Sequence, residues 1–135
     1  MADSFKFELV SPERLLVSEE VEQVIIPGTE GEMTVMASHA PVMTTIRPGV
    51  VTVKPVSGAE QRYVVFGGFA DILPDGCTLL AESAVHTDDL DRDDLRQRIE
   101  AARHEAEHGE DLETRSRAEL FLHQLTTLEG AVVPA

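Results

Sequence analysis

Glycine and proline divide this chain in two. Of seven prolines only Pro134, and of nine glycines only Gly109 and Gly130, lie beyond residue 87; the runs between the others are short and rich in β-branched residues. Turn formers at that density break a chain into strands, whereas the stretch after Thr87 meets neither residue type until Gly109. Two structural grammars therefore stand in series, residues 1–87 and residues 88–135.

In the first part, Phe5, Phe7 and Leu9 alternate with Lys6 and Glu8, and Val51 and Val53 alternate with Thr52 and Lys54. A period of two marks strands with one face inward. Further strands are expected over residues 15–18, 21–26, 33–36, 62–66, 69–73 and 78–82. Turns are expected at Pro27-Gly28, Pro48-Gly49, Ser57-Gly58, Gly67-Gly68 and Pro74-Asp75-Gly76. About eight to ten short strands at this spacing predict a β-sandwich, or flattened antiparallel barrel. With 4% aromatic residues and no Trp, its core has to be aliphatic.

In the second part Leu95, Ile99, Ala102 and Ala106 recur at helical spacing, making a narrow stripe on a charged rod. A second helix over residues 111–128 carries the stripe Ala118, Phe121, Leu122, Leu125 and Leu128, with Gly130 and then Pro134 expected to stop it. The short connection Gly109-Glu110-Asp111 predicts an antiparallel helical hairpin. Carboxylates crowd the start of the first helix, in Asp88-Asp89-Leu90-Asp91-Arg92-Asp93-Asp94, where they complement the helix dipole.

Eleven Lys and Arg stand against 25 Asp and Glu, for a net charge of −14. Such a chain is repelled by nucleic acid phosphates and anionic lipids, so neither is expected as a partner. Cys77 is the single cysteine and cannot form an internal disulfide, which suits a reducing, cytosolic compartment. The first residues read as neither a secretion signal nor a transit peptide. No apolar run approaches the roughly 18 residues of a spanning helix, so membrane association is expected only through a partner.

The sharpest chemical pattern is His104-Glu105-Ala106-Glu107-His108, which satisfies the zinc-protease formula of two imidazoles one helical turn apart with a glutamate between. Three features count against catalysis: the helix is narrow and charged, the fourth motif residue is a carboxylate, and Gly109 ends the helix at the motif. No catalytic metal is expected, and a zinc hydrolase is kept only as an alternative. No Ser lies in a nucleophile elbow, and Gly67-Gly68 leads from strand to strand rather than into a phosphate-binding helix. The glycine pair also suits a bulge or a close backbone approach. His86 is expected as a surface or capping residue. His39, in the short polar loop Ala37-Ser38-His39-Ala40-Pro41, is expected to be exposed to a partner.

Several segments together resemble the epsilon-subunit family of F-type ATP synthases, the counterpart of the mitochondrial delta subunit. They are Val21-Glu22-Gln23-Val24, Pro27-Gly28-Thr29-Glu30-Gly31-Glu32-Met33, His39-Ala40-Pro41 with Thr45-Ile46-Arg47-Pro48-Gly49, Val65-Phe66-Gly67-Gly68-Phe69-Ala70 and Ala81-Glu82-Ser83-Ala84. The resemblance spans nearly the whole chain, because the helical tail completes the same architecture.

What the resemblance implies is a non-catalytic subunit with no cofactor, seated in the central stalk at the cytoplasmic face of the bacterial inner membrane. Residues 1–87 would bind the gamma subunit and the ring of c subunits. The tail, residues 88–135, would reach the alpha/beta catalytic head with a weak regulatory role. Glu30, Gly31, Glu32, Ser38, His39, Ala40 and Pro41 match the loops that face the ring, while Pro48, Gly49, Gly67 and Gly68 are expected as structural turns. ATP-binding members carry aliphatic-Asp-x-x-Arg-Ala at the first helix; here Leu90-Asp91-Arg92-Asp93 is followed by Asp94-Leu95, so no ATP site is expected. Inhibitory members carry a basic second helix, whereas this one offers only Arg115 and Arg117 over residues 111–128. A stand-alone β-sandwich binding module is the other alternative.

Overall fold

The computed structural model describes residues 3–132, and the chain divides into two compact units, Met1–Thr87 and Asp88–Ala135. Among the described residues the first unit holds seven strands: β1 (Phe5–Ser11), β2 (Arg14–Gly28), β3 (Gly31–Met36), β4 (Val42–Pro55), β5 (Gln61–Leu73), β6 (Gly76–Ala81) and β7 (Ala84–His86). Neighbours run β1-β6-β5-β4-β2-β3, and an additional β1–β2 pairing closes the path into a flattened barrel. One edge of β2 is shared in succession, Val21 meeting Phe5 of β1 and Gln23 meeting Met36 of β3. β5 is shared likewise between β7 and β6.

Two details differ from the sequence reading. β1 lies parallel to β6, Lys6 opposite Gly76 and Leu79 opposite Leu9, so the barrel is not wholly antiparallel. The strands are also fewer and longer. Residues 15–18 and 21–26 belong to one strand, and the expected turns at Pro48-Gly49 and Gly67-Gly68 lie inside β4 and β5.

The physical reason is that proline and glycine mark kinks as well as turns. The β4–β5 ladder passes from Ile46 opposite Gly68 to Pro48 opposite Phe66, leaving out Arg47 and Gly67. Arg47 turns its Nε to donate to the Gly28 carbonyl at 3.0 Å. A β-carbon on Gly49 would lie 2.6 Å from that of Pro27, and one on Gly68, at φ +133°, would lie 2.1 Å from the Leu80 carbonyl oxygen. Both positions are close approaches that only glycine permits.

The barrel core is aliphatic apart from Phe5, Phe7 and Cys77, and includes Leu9, Val21, Val24, Ile26, Val35, Val51, Val53, Ile72 and Leu79. Alternation accounts for it, since Phe5, Phe7 and Leu9 are buried while Lys6 is exposed.

A single 3₁₀ turn, Thr87–Asp89, precedes α1 (Arg92–His108) and α2 (Leu112–Val132). Asp91 caps α1, its side chain accepting from the Asp93 amide at 2.9 Å. Asp111 caps α2, accepting from the Thr114 amide at 2.7 Å, and those bonds hold its carboxyl below the usual range. Leu95, Ile99 and Ala102 are buried on α1, and Ala118, Leu125 and Leu128 on α2. Phe121, expected in that buried stripe, is 36% exposed. Nor does Gly130 stop the helix: α2 runs through it, because one glycine costs only about 1 kcal/mol against alanine. Pro134 lies outside the described residues. Among the described residues no helix is long and apolar enough to cross a membrane.

Candidate functional site: two polar loops and an apolar sheet face

Glu30, Gly31 and Glu32 occupy the β2–β3 hairpin and are exposed. The register pairs Gly28 with Gly31, and Thr29 donates its amide to the Thr45 carbonyl at 3.0 Å, which fixes the tip against β4. Ser38, Ala40 and Pro41 are exposed in the β3–β4 connection, and His39 is half-buried. His39 Nδ1 lies 2.7 Å from the Ala40 carbonyl; a carbonyl can only accept, so Nδ1 is the donor in this bond. Ser38 takes a left-handed φ of 64° and donates its amide to the Pro74 carbonyl at 2.9 Å, tying this loop to the β5–β6 turn.

The seven residues do not converge on one point. They mark the two ends of β3, six residues long, or about 20 Å at about 3.3 Å per residue. Pro48 and Gly49 are buried within β4, and Gly67 and Gly68 are the kink in β5, so those four act on the shape of the barrel and not at its rim.

Between the loops and the β5–β6 turn lies a feature that the sequence reading missed. Across neighbouring strands Thr45 stands opposite Phe69, Phe69 opposite Leu80, and Leu80 opposite Val10. Opposed residues share a face of the sheet. Phe69 is 42% exposed, Leu80 40%, and Met43, diagonal to Phe69, 68%. Leu73, two steps of alternation beyond Phe69, is 46% exposed and extends the same face toward the Ser38 loop. The signal was present in β5 and β6, where both phases of the alternation carry apolar residues: Phe69 and Leu73, with Asp71 between them, on one, Ala70 and Ile72 on the other, and Leu80 beside Leu79. A strand apolar on both phases has two faces to cover.

Three further groups bear on chemistry. Cys77 is buried, and burial, with the Asp71 charge second, pushes its thiol up to about 12, so it stays protonated. His86 is not a simple surface histidine: it is half-buried, Nε2 donates to Gln61 Oε1 at 2.7 Å, and its ring meets Tyr63 edge-on at 5.1 Å. In the helical unit an open groove of about 460 Å³ is lined by Ala101, Ala102, Ala118, Arg98 and Arg117 among others. Arg117 was noted in the sequence as one of two basic residues on the second helix, whereas Arg98 was not singled out; it is held by Asp94 at 2.9 Å.

These features define the class first: a β-sandwich joined to a helical hairpin, with exposed polar loops and exposed apolar side chains on one face of the sheet. Residues 4–87 match the family model described as the ATP synthase delta/epsilon chain, β-sandwich domain. Over 135 residues, all of both chains, the sequence is 72% identical to the ATP synthase epsilon chain of Mesorhizobium japonicum and 59% identical to that of Brucella canis. The chain therefore belongs to the ATP synthase epsilon-chain family.

Among solved structures, a chain of the Euglena gracilis mitochondrial ATP synthase, in an assembly described as OSCP/F1/c-ring, is 28% identical with a TM-score of 0.74. The match covers 95% of this chain and 81% of that one. A chain of the Tetrahymena thermophila mitochondrial ATP synthase central stalk and c-ring, 10% identical with a TM-score of 0.65 over 93% of this chain and 96% of that one, shares the fold.

Proposed function

We propose that this chain forms the foot of the central stalk in a proton-driven ATP synthase, holding the gamma subunit to the c-ring so that ring rotation reaches the catalytic head. It performs no bond chemistry itself. The observation that carries the proposal is the outward-facing set Met43, Phe69, Leu73 and Leu80, grouped around Asp71 beside the polar loops. Covering a large apolar side chain fully is worth about 1.5–3 kcal/mol, so this face suits a lasting contact with gamma. Glu30, Glu32 and His39 offer charge and hydrogen-bonding capacity suited to the polar tops of the c subunits. The Euglena relative, in an assembly named for F1 and the c-ring, supports the same placement.

In this reading the chain is peripheral, held at the cytoplasmic face of a bacterial inner membrane through the c-ring. The hairpin reaches the alpha/beta head with a weak regulatory role. Asp94 occupies Arg98, and the groove is assigned no ATP.

The test is reconstitution into a complex lacking this subunit. The double substitution Met43→Glu and Phe69→Glu is expected to cut gamma attachment and proton-coupled ATP synthesis by about tenfold or more, since charge is forced into an apolar contact. Glu32→Lys is expected to loosen the ring while leaving gamma bound. Full coupling in the double variant, with the fold intact by circular dichroism, removes this face from the interface.

A further inference from the structure

The histidines at the end of α1 take no part in the rotor reading, and their geometry carries an assignment independent of it. His104 and His108 are exposed one helical turn apart, their ring centroids separated by 4.8 Å and their planes inclined at 50°. Both border an open surface hollow of about 540 Å³, whose wall includes Glu105, Glu110 and Thr114. Glu107 Oε2 stands 3.7 Å from His108 Nε2. The backbone that carries the pair is fixed at its end, because Gly109 donates its amide to the Glu105 carbonyl at 2.8 Å and Arg115 Nη1 donates to the Gly109 carbonyl at 2.8 Å.

We propose that His104 and His108 chelate one transition cation of the Zn²⁺, Ni²⁺ or Cu²⁺ type, with water filling the other coordination positions. Zinc sits about 2.0–2.1 Å from imidazole nitrogen, which puts two bound nitrogens about 3 Å apart. Rings already this close reach that spacing by side-chain rotation, without backbone movement. Imidazole selects such ions over Ca²⁺ and Mg²⁺, which take oxygen ligands. Glu105, Glu107 and Glu110 surround the pair with negative potential, and the neighbouring Arg115 is turned to the Gly109 carbonyl.

Among the described residues no group of three or more metal-ligating side chains occurs. The site is thus a two-ligand chelate, neither a closed structural zinc site nor a hydrolase centre. Two imidazoles four residues apart face each other only while the turn between them is helical. A bound ion therefore stabilises the end of α1 beside the hairpin connection.

The experiment titrates ZnCl₂ into the full-length chain, followed by calorimetry and by the thermal midpoint of the helical signal. The expected result is one saturable ion per chain and a raised midpoint. Losing an outer-shell partner already weakens metal binding about 10–100-fold, so His104→Ala and His108→Ala are each expected to weaken it by at least about tenfold. Both replace exposed helical residues with the best helix former, so the variants keep their fold, which the metal-free circular dichroism spectrum checks. His123→Ala, on α2, is expected to bind like the parent chain. Unchanged affinity in the double His104→Ala, His108→Ala variant overturns the assignment, as does equal loss in His123→Ala. One ion per two chains overturns it too, since that stoichiometry means a bridge between molecules.

Discussion

The sandwich and the hairpin each carry a net charge of −7, on scaffolds specified in opposite ways. In the sandwich a side chain's place is set by partners far along the chain: Phe7 lies between Glu19 of β2 and Cys77 of β6. In the hairpin the decisive neighbours are three or four residues away, and the boundaries are set by the Asp91 and Asp111 caps. The difference teaches where stability resides. The barrel interior is a closed apolar volume, whereas each helix buries only three side chains, two of the six being alanines.

The largest effect that can break this comparison is at Phe7, which is fully buried in the barrel. Phe7→Ala is expected to cost about 3–5 kcal/mol, read as a lower denaturant midpoint of the β signal. A cost under about 1 kcal/mol would mean that the barrel core is not what holds the first unit together.

Next comes Leu125→Ala on α2, also fully buried, at about 2–5 kcal/mol. The helical signal is expected to melt earlier while the β midpoint stays in place. Coincident loss of both signals would show that the two regions unfold as one, and the contrast drawn above would fail.

The smallest effect concerns Asp111. Its carboxyl is held below the ordinary range by the Thr114 bonds, so its contribution is full above the unfolded-state value and is lost as pH falls through the folded one. Wild type and Asp111→Ala are expected to differ in helical midpoint near neutrality and to converge in acid. A difference that persists at the acid end would assign the cap to something other than the ionised carboxylate.

Much of this architecture is legible in the residues themselves, because alternation over Phe5 to Leu9 and the stripe from Leu95 to Ala102 report their own periods. Kinks are not. Pro48-Gly49 and Gly67-Gly68 carry the same residue types as a turn, and what separates the two cases is Pro27 against Gly49 and Leu80 against Gly68, contacts that exist only once β4, β2, β5 and β6 are in register. Gly130 misleads for a related reason, its penalty being too small to end a helix alone. The loop around His39 was found from its polar residues, whereas Glu30, Gly31 and Glu32 were found through resemblance alone. The apolar row escaped notice because alternation shows that a strand has two faces without saying that both are covered.

The parallel pairing of β1 with β6 also orders events in time. Lys6 to Val10 must find Gly76 to Leu80, about seventy residues later, before the barrel can close. Bringing ends that distant together carries a loop-closure entropy that no local contact offsets in advance, so closure belongs late in folding and on the slower, millisecond-to-second side of small-domain kinetics. On a ribosome the consequence is sharper. The first strand made can pair with β2 early, but its other edge stays open until residue 80 has emerged, leaving the nascent chain with an unpaired β edge through most of the sandwich's synthesis.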